Sequence, residues 1–223
     1  MNEGKIQVKS AENCCDTGKN SRRRIGIYGG TFDPPHCGHV SAAKDFVSQC
    51  GLDVLYVLPV NIPPHKAGAS ASPEQRLEML RLAFKEVQAD DERIHISDFE
   101  LHQPGKSYTV FTLRHFQKQG KLFLLVGTDM FQTLESWHLA PEIFRLATVV
   151  HVRRGQEDSE KALEERKCYY EQNYSAEIIG LRHTPLEVSS TEIRRMLAKG
   201  VDTSRYLPKL VAEYIKIHEL YNI

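Results

Sequence analysis

The segment 29–39 holds the densest set of chemically useful residues in this chain and reads Gly-Gly-Thr-Phe-Asp-Pro-Pro-His-Cys-Gly-His. It directly follows Arg24–Tyr28, an apolar run typical of a buried strand. The paired glycines leave no Cβ between the backbone and a ligand, so amide groups can approach a phosphate closely. His36 and His39 stand three apart where a helix begins, so both rings can lie beside its free amides. The pattern predicts a site for a phosphate that gains charge in a transition state.

Other chemistries fit this segment less well. No Gly is followed at the required spacing by Gly-Lys-Ser/Thr, and the dinucleotide-binding glycine fingerprint is also absent. His36, Cys37 and His39 could hold zinc, but no further ligands follow at a recognisable spacing. A turn with two solvent-exposed histidines would explain either histidine alone. It would not explain the glycine pair, the proline pair and both histidines together.

A second phosphate-binding pattern lies near the C-terminus, at 188–195, and reads Val-Ser-Ser-Thr-Glu-Ile-Arg-Arg. Ser189 and Glu192 have the spacing of a capping box, so an ordinary helix start is one interpretation. Three hydroxyl groups at a helix start followed by Arg194 also describe a cradle for a triphosphate. The sequence leaves both interpretations open.

Two segments at predicted strand ends could contact ligands. The segment 61–66, Asn-Ile-Pro-Pro-His-Lys, follows the second strand. There His65 and Lys66 could meet a phosphate monoester, or the segment is only a stiff surface loop. Asp129 follows the strand Lys121–Val126 and could accept hydrogen bonds from ribose hydroxyls or cap a helix.

Two further segments could bind an aromatic acid. Ser107 precedes a helical pattern and is a plausible cap, and the amides of Tyr108 and Thr109 could bind a carboxylate. Trp137 is the only tryptophan. It is either a core residue or an aromatic face that stacks on a pyridine ring.

The elements that must position these residues alternate between strand and helix. The predicted strands are Arg24–Tyr28, Val54–Pro59, Arg93–Ser97, Lys121–Val126 and Thr148–Val152. Helices are predicted around 40–50, after a capping box at Ser72 and Gln75, and near Thr109–Lys118, Glu160–Glu171, Thr191–Ala198 and Lys209–Leu220. Buried apolar strands between helices predict an α/β, Rossmann-like, doubly wound and mainly parallel sheet with helices on both faces. Ligands are expected at the carboxyl ends of its strands.

The chain is expected to form one nucleotide-binding domain over 24–223, including a small C-terminal helical part at about 189–223. Residues 1–23 are polar and are predicted to be a disordered N-terminal extension without a secretory apolar region. Apolar runs are too short to span a bilayer. Five cysteines in no framework or zinc spacing indicate a reducing cytoplasm. The sequence leaves open whether the chain forms a homo-oligomer.

The overall charge argues against two classes of partner. Lys plus Arg number 29 and Asp plus Glu number 29, so no overall field would attract nucleic acid or an anionic membrane. Any phosphate-binding surface must therefore be local.

The segment 29–39 resembles the Gly-Gly-Thr-Phe-Asp-Pro-x-His-x-Gly-His signature of the adenylyltransferases that carry a His-x-Gly-His motif. The resemblance extends from about residue 25 to the C-terminus. Val188 stands where the family motif Ile-Ser-Ser-Thr-x-Ile-Arg has its first Ile, which is a conservative change. These motifs, taken with the Tyr-Thr segment at 108–109 and the Trp segment at 137, make the chain resemble most the bacterial nicotinate-nucleotide adenylyltransferases.

The resemblance implies transfer of AMP from ATP to nicotinate mononucleotide, with Mg²⁺ carried by ATP and no metal ligands from the protein. It implies catalytic roles for His36, His39 and Arg194. It implies ATP contacts from Gly29, Gly30, Thr31, Phe32, Asp129, Ser190 and Thr191, and nicotinate mononucleotide contacts from Asn61, His65, Lys66, Tyr108, Thr109 and Trp137.

Three rival functions remain at this stage. The first is a transferase for another acceptor, such as nicotinamide mononucleotide, phosphopantetheine or a polyol phosphate. The second is a non-catalytic nucleotide-binding protein on the same fold. The third is an RNA-binding role, because class I aminoacyl-tRNA synthetases carry a similar His-x-Gly-His; zero net charge argues against it.

Overall fold

A computed structural model of the chain describes residues 22–62, 69–152, 159–184 and 186–221. Its centre is a six-stranded sheet in the order β3-β2-β1-β4-β5-β6, and every neighbouring pair is parallel. The strands are Arg24–Gly30 (β1), Val54–Pro59 (β2), Ile94–Ile96 (β3), Lys121–Gly127 (β4), Ala147–Val152 (β5) and Ile178–Leu181 (β6). The α-helices are Cys37–Gln49 (α1), Pro73–Asp90 (α2), Thr109–Phe116 (α3), Thr128–Gln132 (α4), Ala140–Leu146 (α5), Glu160–Tyr174 (α6), Ser190–Ala198 (α7) and Lys209–Ile217 (α8). Short 3₁₀ turns occupy Phe99–His102, Gln117–Gln119 and Leu134–Ser136.

Both faces of the sheet are covered, which explains why the four central strands, β2, β1, β4 and β5, are mostly apolar and buried. In β1, Ile25 and Ile27 pack in a core with α3, α5 and α6, whereas Tyr28 points into a core with α1, α2 and α8. This alternation follows from the two-residue period of a strand. The predicted doubly wound α/β fold is confirmed.

The strand order places a switch point beside β1. The chain runs outward from β1 through β2 to β3 and then returns to β4 on the other side of β1. Loops that leave β1 and β4 therefore diverge to opposite faces of the sheet, which opens a crevice at their carboxyl ends. The strand ends Gly29–Gly30 and Gly127 both lie at this edge.

Helix starts follow the sequence signals at two of three places. Ser72 accepts from the Gln75 amide, and Ser189 accepts from the Glu192 amide; both form the predicted capping boxes. The cap predicted for α3 is wrong, because its N-cap is Tyr108. The Ser107 hydroxyl is engaged elsewhere, accepting from the backbone N–H of Asn61 at 2.9 Å.

Three short elements escaped prediction from sequence. The strand β6 lies at the sheet edge and has only four residues, Ile-Ile-Gly-Leu, two of them exposed, so it is too short to stand out as a strand in the sequence. The helices α4 and α5 have 5 and 7 residues, too few to display a full 3.6-residue periodicity.

The first and last described residues of the chain contact different parts of the domain. The predicted N-terminal extension lies outside the described residues up to position 21, and the Arg23 carbonyl already accepts from the Lys121 amide at 2.8 Å. At the other end, α7 and α8 pack on the face that carries α1 and α2.

Within the described ranges, no helix is both long and apolar enough to cross a membrane.

Candidate active site

Two adjoining cavities open at the carboxyl edge of the sheet, and each has a volume of about 180 Å³. They share the wall formed by Tyr28–Thr31 at the end of β1. The His cavity is lined by Phe32, His36, His39, Ser190, Thr191 and Arg194, among others. The Trp cavity is lined by Glu100, Tyr108, Thr109, Asp129 and Trp137, among others. The residues predicted to be catalytic or to bind ATP, except Asp129, thus line the His cavity, whereas Tyr108, Thr109 and Trp137 line the Trp cavity.

The paired glycines at the shared wall differ in what they accommodate. A Cβ on Gly29 would meet nothing within 4 Å, so the space above Gly29 is open to both cavities. A Cβ on Gly30 would come within 2.8 Å of the Phe32 ring, which is buried beneath it. Gly29 therefore leaves room for a ligand, whereas Gly30 leaves room for the protein's own aromatic ring.

The two histidines pack against each other at the start of α1. The ring centroids of His36 and His39 lie 3.7 Å apart, with an angle of 31° between the planes. The His36 backbone N–H donates to Nδ1 of His39 at 3.1 Å. Because Nδ1 of His39 accepts this bond, a neutral His39 ring carries its proton on Nε2. His39 can therefore donate from Nε2 to an anion in the cavity.

Arg194 reaches the other phosphate-binding segment from the C-terminal end. Its Nη1 donates to the Asp33 backbone carbonyl at 2.6 Å, and its Nη2 donates to Oγ1 of Thr191 at 3.3 Å. The Ser190 hydroxyl donates to the Pro34 carbonyl at 2.9 Å. The start of α7 is thereby attached to the loop that precedes the histidines.

Asp33 organises this loop, although the sequence alone did not single it out. Its buried carboxylate accepts from the amides of Ser70 and Ala71 at 2.8 and 3.1 Å. It also accepts from the Tyr221 hydroxyl at 2.7 Å. Burial and the neighbouring carboxylate raise the pKa of Tyr221, so the phenol stays a donor. The C-terminal residues thus brace the phosphate-binding loop.

The Trp cavity presents amides and aromatic faces. Tyr108 is the N-cap of α3 and Thr109 is its first residue, so both stand where helix amides lack partners within the helix. Trp137 is half-buried at the end of the turn Leu134–Ser136. Asp129 lines this cavity rather than the His cavity; its predicted contact with ATP stays a prediction.

Glu100 is an acidic residue of the Trp cavity that sequence reasoning missed. It is 5% exposed, and its Oε1 accepts from the Thr112 hydroxyl at 2.7 Å. Burial raises the pKa of Glu100, and the hydroxyls of Thr112 and Ser107 partly oppose the rise. The carboxyl group therefore favours its neutral form more than an exposed glutamate does.

Arg76 ties together the loops after β1 and β2. It is 1% exposed on α2, and its Nη1 donates to the carbonyls of Thr31 and Val60 at 2.9 and 2.8 Å. Its Nη2 donates to the Asn61 carbonyl at 3.1 Å. The only signal in the sequence was a charged residue on the buried stripe of a helix, four positions before Leu80.

The segment 61–66 is described only in part. Among the described residues, Val60 lines the Trp cavity but Asn61 lines neither cavity, and the Asn61 side chain donates to the Gln103 carbonyl at 3.1 Å. Its predicted contact with a ligand stays a prediction. His65 and Lys66 lie outside the described residues.

No dedicated metal cage is found in the part of the chain that the structure describes. There, His, Cys, Asp and Glu form no group of three or more that could hold a metal ion. Cys37, which lies between the two histidines in sequence, is half-buried, and burial raises the pKa of its thiol. A raised pKa disfavours the thiolate that nucleophilic catalysis would need.

Comparison with known proteins assigns the family. The sequence matches the cytidylyltransferase-like family over residues 27–196. A protein of Clostridium botulinum (strain Eklund 17B / Type B) named "Probable nicotinate-nucleotide adenylyltransferase" is 35% identical over 201 residues, which cover 89% of this chain and 98% of that protein. The chain belongs to the nicotinate-nucleotide adenylyltransferase family.

Further similarities agree with this membership. A second relative, from Pseudomonas putida (strain W619), is also named "Probable nicotinate-nucleotide adenylyltransferase". It is 35% identical over 212 residues, which cover 89% of this chain and 95% of that protein. A solved structure of Plasmodium falciparum nicotinic acid mononucleotide adenylyltransferase complexed with NaAD has a TM-score of 0.71 at 19% identity, with 89% of this chain and 97% of that chain covered. This structural similarity supports the assignment of the α/β fold.

Proposed function

We propose that this chain transfers AMP from ATP to nicotinate mononucleotide and releases pyrophosphate and nicotinate adenine dinucleotide. The observation that carries the proposal is the shared wall at Tyr28–Thr31, which separates a cavity suited to a triphosphate from one suited to an aromatic acid. Two nucleotides bound on either side of this wall would bring their phosphates together above Gly29. Family membership and the fold support the same reaction.

In the proposed reaction, a phosphate oxygen of nicotinate mononucleotide attacks the α-phosphorus of ATP in line. A bond forms between that oxygen and the α-phosphorus, and the bond from the α-phosphorus to the oxygen bridging to the β-phosphorus breaks. A phosphate monoester is largely dianionic near neutral pH, so no protein general base is needed. Catalysis then consists of positioning and stabilisation of charge.

The His cavity supplies the groups that stabilise the charge. His39 donates from Nε2 to the α- and β-phosphate region, and His36 stacks against it. Arg194 and Thr191 hold the departing pyrophosphate at the start of α7, where amide groups are also available. The network from Arg194 to Asp33 fixes these donors before the substrate binds, which is the condition under which such donors lower a barrier most.

Mg²⁺ is proposed to enter as part of the Mg·ATP complex. The described residues offer no carboxylate cluster for it, which fits an ion ligated mostly by phosphate oxygens and water. When bound, the ion neutralises charge on the phosphates.

The Trp cavity is proposed to select the acid form of the pyridine nucleotide. The amides at the start of α3 are N–H donors, which pair with both oxygens of a carboxylate but not with the amino group of a carboxamide. Among the described residues that line this cavity, none is Lys or Arg. The cavity therefore also suits the positive charge of a pyridinium ring.

A direct assay tests the proposal. The purified chain is incubated with Mg·ATP and, separately, with nicotinate mononucleotide, nicotinamide mononucleotide or phosphopantetheine, and pyrophosphate release and the product are measured. We expect the highest kcat/KM with nicotinate mononucleotide. Preference for another acceptor would reject the substrate assignment, and no turnover with any acceptor would reject the catalytic function.

A further inference from the structure

A buried histidine side chain and a partly exposed aspartate, both outside the signature segments, form a pair beside the His cavity. His183 follows β6, and its side chain is 4% exposed. Its Nδ1 lies 2.7 Å from Oδ2 of Asp45, which is on α1. His183 also lines the His cavity. Neither residue was singled out by the sequence patterns.

The His cavity is lined by two chemically different sets of groups. The loop and α7 supply a cationic and hydroxyl set, from His39, Thr191 and Arg194. The other set is apolar or small and comprises Gly38, Ala42, Val152, Leu186 and Val188. A nucleoside triphosphate with its phosphates on the cationic set would leave its base to the apolar set.

The partner of His183 lies on the helix that carries part of the apolar set. Gly38 and Ala42 are four residues apart on α1, and Asp45 follows three residues later, so the three residues lie along one face of this helix. His183 lines the same cavity as Gly38 and Ala42. It is therefore a polar side chain of this cavity that lies outside the two phosphate-binding segments.

The pair defines which hydrogen bond His183 can offer. Asp45 accepts from Nδ1, so in the neutral ring the other nitrogen, Nε2, is an acceptor. The 6-amino group of adenine is a donor and can pair with Nε2 of His183. The 6-oxo group of guanine or hypoxanthine is an acceptor, so two acceptors would face each other. Two facing acceptors stay unpaired, which reduces binding.

We propose that His183, oriented by Asp45, is a specificity-determining residue that selects adenine as the base of the nucleoside triphosphate by accepting a hydrogen bond from its 6-amino group. The inference rests on the proposed function, which makes the His cavity the ATP site. It adds the residue that distinguishes ATP from 6-oxopurine triphosphates.

The test compares ATP with ITP and GTP as nucleotide donors, with nicotinate mononucleotide as acceptor. His183→Asn keeps a side-chain amide that can donate to Asp45 but removes the Nε2 acceptor, and His183→Ala removes both. We expect His183→Asn to reduce the ATP/ITP ratio of kcat/KM by about tenfold or more. The KM for nicotinate mononucleotide and the melting temperature should change little.

The exposed pair of His102 and Asp98 provides a matched control, since its atoms lie 3.2 Å apart away from both cavities. His102→Asn should leave the ratio unchanged. If His183→Ala does not fold, His183→Asn decides.

Two outcomes separate this inference from the proposed function. If the wild type is active and His183→Asn has the same ATP/ITP ratio of kcat/KM, this inference is overturned and the proposed function stands. If the wild type forms no dinucleotide from ATP, the proposed function itself is rejected.

Discussion

The guanidinium of Arg194 donates to the backbone carbonyl of Asp33 at 2.6 Å, across 161 positions of sequence. The Asp33 carboxylate also lies 3.7 Å from the same guanidinium. This contact joins the two phosphate-binding segments, because His36, the N-cap of α1, comes three residues after Asp33, and Arg194 lies on α7. A single triphosphate can therefore meet donors from both ends of the chain.

Arg194→Ala should lower kcat/KM for ATP by about 10²-fold, as expected when one preorganised donor to a transition-state charge is removed. Arg195 is the matched control, since it is the next residue on α7 and is exposed. Arg195→Ala should change kcat/KM less than about twofold. Steady-state kinetics with varied ATP measure both, and equal effects of the two substitutions would contradict the assigned role of Arg194.

His39→Ala should lower kcat by at least about 10²-fold with little loss of stability, because the half-buried ring stands at the cavity wall and donates to the developing charge. Cys37→Ser is the control on the same turn and should retain most activity. Turnover and melting temperature are measured for both. Near-normal turnover of the His39 variant would remove this residue from the mechanism.

Gly29→Ala should preserve the melting temperature but lower activity at least about tenfold. A Cβ there meets nothing in the protein, whereas it would occupy space assigned to the ligands. Gly30→Ala should instead destabilise the fold by about 1–3 kcal/mol, because its Cβ would meet the Phe32 ring at 2.8 Å. Thermal unfolding and kcat/KM separate the two glycines, and full activity of Gly29→Ala would show that no ligand approaches this position.

Trp137→Ala should raise the KM for the pyridine nucleotide roughly tenfold through loss of a stacking face, with the KM for ATP almost unchanged. Trp137→Phe keeps an aromatic face and should recover most of the affinity. Initial rates with each substrate varied in turn provide the measurement. An effect limited to ATP would contradict placement of the pyridine ring in the Trp cavity.

Arg76→Lys should raise the KM for both substrates, because Arg76 fixes the loop ends at Thr31 and Asn61 and one ammonium cannot reproduce its three carbonyl contacts. Arg81→Lys, on an exposed part of the same helix, is the control. Unchanged KM values in a folded Arg76→Lys protein would show that the loop spacing does not depend on this side chain.

The local patterns of the sequence determined much of the fold and of the phosphate-binding segments. Five strands, the capping boxes at Ser72 and Ser189, and the placement of His36 and His39 at a helix start depend on neighbouring residues only. Such features are set by the strand and helix periods and by backbone conformation, so they can be read from one segment at a time. The expectation that ligands gather at the carboxyl edge followed from strand–helix alternation.

The tertiary structure alone decided which residues share a cavity and which support them. The contact of Arg194 with Asp33, the three carbonyl contacts of Arg76 and the pairing of His183 with Asp45 all join residues distant in sequence. Each depends on burial and on the packing of separate elements, for which neighbouring residues carry no signal. Likewise, Ser107 is a residue type that often caps a helix, but Tyr108 is the N-cap of α3, and the Ser107 hydroxyl accepts from the amide of Asn61, which is 46 positions away in sequence.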